Sequence, residues 1–234
     1  MSFLFNVLTV VDVFLQFVLL FFLLRSSVRR YVFLFVYSIA FLITTLTEFV
    51  LIQIHHPVLY RRVYWTDEIL TDLLLFLVVI SLIYLATRGS AVRSQMSKLL
   101  AVIVAIVLIL PFAILNPPSF FTATAWTAAW GRWFNGTGQI LNFGAAIMNL
   151  GLWSALLTSK KRDPQLLKVS IGVGVAVAGQ AIGFGLRRFL PETAVRQIPD
   201  FFMSLTHVLS VLIWCWAFKT AARTPKPAES VSRP

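Results

Sequence analysis

Residues 64–87 read YWTDEILTDLLLFLVVISLIYLAT. The acidic residues Asp67, Glu68 and Asp72 lie in the first half of this segment, and the rest is almost entirely apolar. A helix of roughly 20 apolar residues is long enough to cross the hydrocarbon core of a bilayer. The segment Tyr64–Thr87 is therefore predicted to be a transmembrane helix with carboxylates near one end.

Six more apolar segments of this kind occur along the chain, separated by charged or Pro- and Gly-containing breaks. The sequence thus predicts an all-α membrane protein, a bundle of seven transmembrane helices over residues 1–219. Residues 220–234 form a polar, proline-containing tail that we expect to be disordered. The predicted spans are Phe3–Leu24, Tyr31–Gln53, Tyr64–Thr87, Leu99–Leu115, Gly138–Leu157, Val169–Leu186 and Phe201–Phe218.

The composition supports a membrane location. Of the 234 residues, 59% are hydrophobic and 12% are charged, whereas soluble domains have about 45–50% apolar and about 25% charged residues. This excludes a cytosolic enzyme and a secreted disulfide scaffold, and the single cysteine, Cys215, cannot form an internal disulfide. In such a chain the net charge of +11 indicates membrane topology rather than a nucleic-acid partner.

The basic residues are distributed unequally between the two sides of the predicted bundle. Fourteen of the twenty Lys and Arg residues fall on the side where the first helix ends. Because basic residues concentrate on the cytoplasmic side, we expect the N-terminus outside and the C-terminus in the cytoplasm. The six on the other side are Arg61, Arg62, Arg132, Arg187, Arg188 and Arg196.

Strongly polar residues inside the predicted spans concentrate in their outer half or near the midplane. Ionisable groups in the bilayer are costly, so they mark functional sites by default. We predict an outward-facing polar pocket that binds a small molecule, an ion or a proton. The alternative is a set of hydrogen bonds that hold the helices together. The candidate site residues are Asp12, Glu48, Trp65, Glu68, Asp72, Asn142, Gln180 and His207.

Three of these residues, Glu48, Asp72 and His207, lie at similar predicted depths of about 7–10 Å at 1.5 Å per helical residue. If their helices are neighbours, the three side chains could converge on a proton-linked or cation-binding site. The alternative is that each of the three side chains forms a separate hydrogen bond to a backbone carbonyl.

Enzyme chemistry is less favoured, although it stays open. The chain has only three histidines, two of which are the adjacent His55 and His56. No HxxxH or HExxH motif is present, and zinc sites commonly use histidines at helical spacing. We predict no catalytic residues, no metal ligands and no cofactor.

Two further features concern packing. The sixth segment carries Gly172, Gly179 and Gly183 on one face, which predicts a close contact with the fifth helix or with a second subunit. Residues 116–137 are rich in tryptophan and predict either an interfacial anchor or a lid over the pocket. The first three and last three helices would both start outside, which is consistent with a parallel duplication or with chance.

The stretch Tyr64-Trp65-Thr66-Asp67-Glu68 resembles the Tyr-Trp-x-x-Glu pattern of uncharacterised bacterial seven-helix membrane proteins. Those proteins in turn resemble the heptahelical sensor region of some bacterial histidine kinases. The resemblance implies a receptor-like or sensor-like protein of the bacterial inner membrane. No kinase follows Arg223 in this sequence, so a separate cytoplasmic partner would carry the signal.

Two other functions stay open on sequence grounds: a small transporter, and an accessory subunit of a larger membrane complex. The expected partners are the lipid bilayer, a small ligand or ion from the outer side, and a signalling partner or a second copy of the chain. Nucleic acid is not expected to bind.

Overall fold

The computed structural model describes residues 2–26, 28–55, 57–88, 93–115, 128–158, 163–189 and 197–221. These residues form seven α-helices and no strand. Each helix is long and apolar enough to cross a membrane, which confirms the predicted seven-helix architecture. The helices are α1 (Ser2–Ser26), α2 (Val32–Gln53), α3 (Pro57–Ala86), α4 (Arg93–Ile114), α5 (Ala128–Thr158), α6 (Pro164–Phe189) and α7 (Gln197–Ala221).

Four helices begin well before the predicted spans. α3 begins at Pro57 rather than at Tyr64, α4 at Arg93 rather than at Leu99, α5 at Ala128 rather than at Gly138, and α6 at Pro164 rather than at Val169. The predicted spans followed the apolar runs, whereas a helix can continue into the polar interface wherever its backbone hydrogen bonds are kept. Proline is favourable in the first turn of a helix, which explains the early start of α3.

The start of α6 is fixed by Asp163, the residue before the helix. Its Oδ1 accepts hydrogen bonds from the backbone N–H groups of Gln165 and Leu166, both at 3.0 Å. This is the arrangement of a helix N-cap, in which a side-chain oxygen satisfies free N–H groups. The other carboxylate oxygen, Oδ2, pairs with Arg30. The turn between α1 and α2 is thereby tied to the start of α6.

Six of the helices pack side by side in a ring. Around the ring the order is α1, α2, α3, α5, α6, α7 and back to α1. α4 lies outside this ring and packs against α5 and α3. α1 and α7 run in the same direction, since Asp12 contacts His207 and Leu15 contacts Cys215. The outward faces of the helices are apolar, as expected for contact with lipid.

The main hydrophobic core fills the ring towards the end at which α2 begins. Trp214 and Phe218 of α7 are fully buried there, and Phe218 meets Tyr31 edge-on at 5.2 Å between ring centroids. The Tyr31 hydroxyl is buried without a hydrogen-bond partner. Burial raises the pKa of Tyr31 to about 12, because the charged phenolate is disfavoured in an apolar environment.

The glycine face of α6 packs against α7. A Cβ at Gly179 would overlap Thr206, and one at Gly183 would overlap Met203. A Cβ at Gly172 would overlap the indole of Trp214. The close contact is therefore within the chain, but the expected partner α5 was wrong for these glycines: closing the ring places α7 beside them.

Candidate functional site

The polar candidates lie mainly in one half of the bundle, which we call the acidic half. It is the half in which α2 and α6 end and α3 and α7 begin. Six of the seven acidic residues that the structure describes belong to it: Asp12, Glu48, Asp67, Glu68, Asp72 and Asp200. The opposite half, where Arg30 and Asp163 lie at the end, is called the basic half.

Asp12 and His207 form a buried pair between α1 and α7. The Nδ1 atom of His207 lies 3.1 Å from each carboxylate oxygen of Asp12. The imidazole stacks on the Phe41 ring at 4.0 Å and lies 6.2 Å from the Tyr37 ring, both on α2. Its Nε2 atom is buried without a hydrogen-bond partner. His207 thus links three helices through one ring.

This pairing differs from the expected convergence of His207 with Glu48 and Asp72. The hydrogen bonds of His207 in the described part of the chain go to Asp12. Glu48 Oε1 and Asp72 Oδ2 are each buried without a hydrogen-bond partner. The three residues do share the acidic half, but they are not joined by hydrogen bonds.

Arg187 is the centre of a second network, which joins α3, α6 and α7. Its Nη1 lies 2.5 Å from Glu68 Oε1, and its Nη2 donates to the Tyr64 hydroxyl at 2.8 Å. Its Nε donates to Asp200 Oδ1 at 2.9 Å. The Arg187 and Glu68 side chains are only 14% and 12% exposed, so solvent screens this pair weakly.

Arg187 and Tyr64 were not among the predicted site residues. Both lie at the edges of the predicted spans, where a cation or a tyrosine is ordinary at a membrane interface. The signal that could have found them is spacing: Tyr64 and Glu68 are one helical turn apart and therefore share a face.

Asp72 and Asn142 lie at the contact between α3 and α5. Asn142 donates from Nδ2 to the backbone oxygen of Gly138 at 2.9 Å. A Cβ at Gly138 would come within 2.7 Å of both Asp72 Oδ2 and the Phe184 ring, so the carboxylate and the ring both rest against this glycine. The Arg187 guanidinium lies 5.3 Å from the Phe184 ring centroid. From the acidic end inwards, the Arg187 network is followed by Phe184 and then by Asp72.

Glu48 lies at the end of α2 near the start of α3. Glu48 also lies close enough to Tyr60 to affect its pKa. Burial raises the pKa of Tyr60, and the negative charges of Glu48 and Asp200 raise it further. Asp67 interacts electrostatically with Glu68 and His207 and has one buried oxygen without a partner. The carboxylates of the acidic half therefore interact with one another.

Trp65 belongs to an aromatic cluster with the start of α5. It stacks on Phe134 at 5.8 Å with an interplanar angle of 10°, and Trp130 and Trp133 complete the cluster. Trp126 lies outside the described residues, and so does most of the predicted lid. Gln180 is partly buried on α6.

No group of three or more His, Cys, Asp or Glu side chains that could hold a metal ion occurs among the described residues. The buried and half-buried groups described in the acidic half include carboxylates, the imidazole of His207 and the guanidinium of Arg187. Such groups bind and release protons or hold a polar ligand.

Comparisons of this chain with protein-family models, with curated proteins and with solved structures found no match. The fold and composition define an integral membrane protein with seven candidate membrane-spanning helices.

Proposed function

We propose that this chain is a receptor-like or sensor-like membrane protein that responds to a proton or small ligand in its acidic half. The observation that carries the proposal is the buried Asp12–His207 pair. An imidazole is the side chain that ordinarily changes charge between about pH 5 and 8. Gaining or losing that charge changes its attraction to Asp12, and the same ring packs on Phe41 of α2.

A change at this pair has a direct route to the other half of the bundle. His207 and Trp214 lie on the same continuous helix. The Tyr37 ring lies near both, 6.2 Å from the imidazole and 5.9 Å from the indole. A shift of α7 would therefore move the packing in the basic half, where a separate partner could detect it. That partner would carry the signal onward in the cytoplasm.

The orientation is part of the proposal. The excess of basic residues around the basic half supports a cytoplasmic location for it, with the acidic half outside and a bacterial inner membrane as the setting. A reporter fused after Pro234 should be active only as a cytoplasmic fusion, and one placed before Ser2 only as an external fusion. An N-terminal fusion that reports from the cytoplasm would refute this orientation.

The sensing step is tested by a distance measurement across the basic half. Leu24→Cys on α1 and Lys219→Cys on α7 provide exposed labelling sites once the buried Cys215 is replaced by Ala. Spin-label distances in lipid nanodiscs should differ between about pH 5 and pH 8, and His207→Gln should abolish the difference.

His55→Gln is the matched control, because His55 lies exposed just after α2 and should leave the response intact. A distance that stays constant with pH, or a response that persists without His207, would refute the proposed sensing step.

A small transporter is the second candidate, and one observation favours it. The ring consists of two groups of three consecutive helices, α1–α2–α3 and α5–α6–α7. The two groups contact each other through α3 with α5 and through α7 with α1. Parallel repeats of this kind occur in transporters. Proteoliposomes loaded with a pH-sensitive dye distinguish the two functions: a transporter that couples to protons dissipates an imposed pH gradient, whereas a sensor leaves it at the rate of protein-free liposomes.

A further inference from the structure

The contact between α3 and α5 contains two buried oxygens that lack a hydrogen-bond donor. Asp72 and Asn142 are 4% and 1% exposed. The atoms without a partner are Asp72 Oδ2 and Asn142 Oδ1. Leaving a buried polar atom unsatisfied costs about 1–3 kcal/mol, so each of these acceptors calls for a donor.

The two side chains meet beside Gly138. Asn142 donates one N–H of its Nδ2 to the Gly138 backbone oxygen, and the second N–H of the same amide interacts with the Asp72 carboxylate. That donor does not reach Asp72 Oδ2, which has no hydrogen-bond partner. Gly138 leaves room for the carboxylate, because a Cβ there would approach Asp72 Oδ2 to 2.7 Å.

The groups around Asp72 do not supply a free cation. Arg187 is the nearest positive charge, and it is bound to Glu68, Asp200 and Tyr64. The Phe184 ring lies beside Asp72 at Gly138. The charged and titratable groups facing Asp72 from the packed helices are Tyr37 on α2, Asp67 and Glu68 on α3, and Arg187 on α6, while α5 contributes the uncharged Asn142.

We propose that Asp72 is a proton-binding site, in which a proton taken from water forms an O–H bond at Oδ2. Protonation turns an oxygen without a donor into a hydroxyl group and removes a charge from the membrane interior, where an ionised carboxylate is costly. Loss of the proton would leave a carboxylate that competes with Glu68 for Arg187. The contact between α3 and α6 would change as a result. This proposal rests on the proposed sensing function and identifies the proton as its ligand.

Infrared spectroscopy of the purified protein tests the proton directly. Protonated carboxylic acids give a C=O stretching band that is separate from the bands of ionised carboxylates, and this band shifts in heavy water. Protein labelled with ¹³C at the aspartate carboxyl carbon should show the band at neutral pH with the isotope shift. Asp72→Asn should remove the part of the band that belongs to Asp72.

Two further variants make the result specific. Asn142→Leu should keep the band but move it to higher frequency, because the amide N–H that interacts with the carboxyl group is lost. Asp163→Asn is the matched control and should leave the band unchanged, since that carboxylate is partly exposed and paired with Arg30.

The absence of an aspartate band in the parent protein, or a band of undiminished intensity in Asp72→Asn, would overturn the proposal. The parent measurement stands on its own if Asp72→Asn fails to fold. The band is independent of signalling: a band without any pH-dependent distance change would keep the proton site and refute the sensor, whereas a distance change without the band would do the opposite.

Discussion

Replacing Gly179 with Ala should destabilise the bundle through the contact between α6 and α7. A Cβ at this position would overlap the Cβ and Oγ1 of Thr206. Thr206 cannot easily rotate away, since its Oγ1 donates to the backbone oxygens of Phe202 and Met203 at 3.0 and 2.9 Å. Adding a methyl group to a well-packed site costs about 1–3 kcal/mol, whereas alanine gains about 1 kcal/mol over glycine in helix propensity.

Two other glycines separate these contributions. Gly185 on α6 and Gly151 on α5 have open space where a Cβ would stand, so Gly185→Ala and Gly151→Ala carry the propensity gain without the overlap. Gly179→Ala should therefore unfold with about 1–3 kcal/mol less free energy than either control. The assay is equilibrium unfolding in mixed micelles with increasing denaturing detergent, followed by circular dichroism. Equal stabilities for all three variants would show that the close contact of α6 with α7 does not exist.

Three more changes test the polar contacts. Arg187→Met should lower the free energy of unfolding by up to about 3–5 kcal/mol, because Glu68 loses its cation. Arg30→Met removes a more exposed ion pair and should lower it by about 0–1 kcal/mol. Equal losses in the same unfolding assay would contradict this difference. Asp163→Ala should cost about 0.5–2 kcal/mol through loss of the α6 N-cap, and Asp163→Asn should retain most of that stability; equal effects would exclude the capping role. The pKa of Tyr31 in the folded protein is raised from 10.0 to about 12, so Tyr31 ionises at lower pH in the unfolded chain than in the folded one. The free energy of unfolding should therefore fall by about 2–3 kcal/mol between these pH values. A Tyr31→Phe variant that loses as much stability over this range would disprove this.

The number and type of helices could be predicted because hydrophobic length is a local property. Each apolar run is long enough to cross a bilayer whatever its neighbours are. The starts of α3 and α5 could not be predicted in this way. Their first turns are polar, and whether polar residues continue a helix depends on local hydrogen bonds rather than on hydropathy.

The site was predicted at the level of which residues are polar and at what depth. Helical periodicity places Asp12 and Gln16 on one face of α1, but it does not say which helix that face meets. His207 pairs with Asp12 because α7 closes the ring against α1, and ring closure is a property of the whole chain. The expected meeting with Glu48 and Asp72 assumed a different set of neighbours.

The distribution of polar contacts favours the proposed sensing role of the acidic half over a set of contacts that only hold helices together. Arg187 is bound to Glu68 and Asp200, and the imidazole of His207 pairs with Asp12. The remaining carboxylates, Glu48, Asp67 and Asp72, have no ion-pair partner among the described residues, and each has one buried oxygen without a hydrogen-bond partner.

Residues that only join helices would be expected to satisfy one another, because each unsatisfied group costs stability. The carboxylate oxygens without donors on α2 and α3 would be satisfied by protons or by a cationic ligand. These carboxylates lie beside the Arg187 network, so binding of a proton or a cation there would change how α3, α6 and α7 pack.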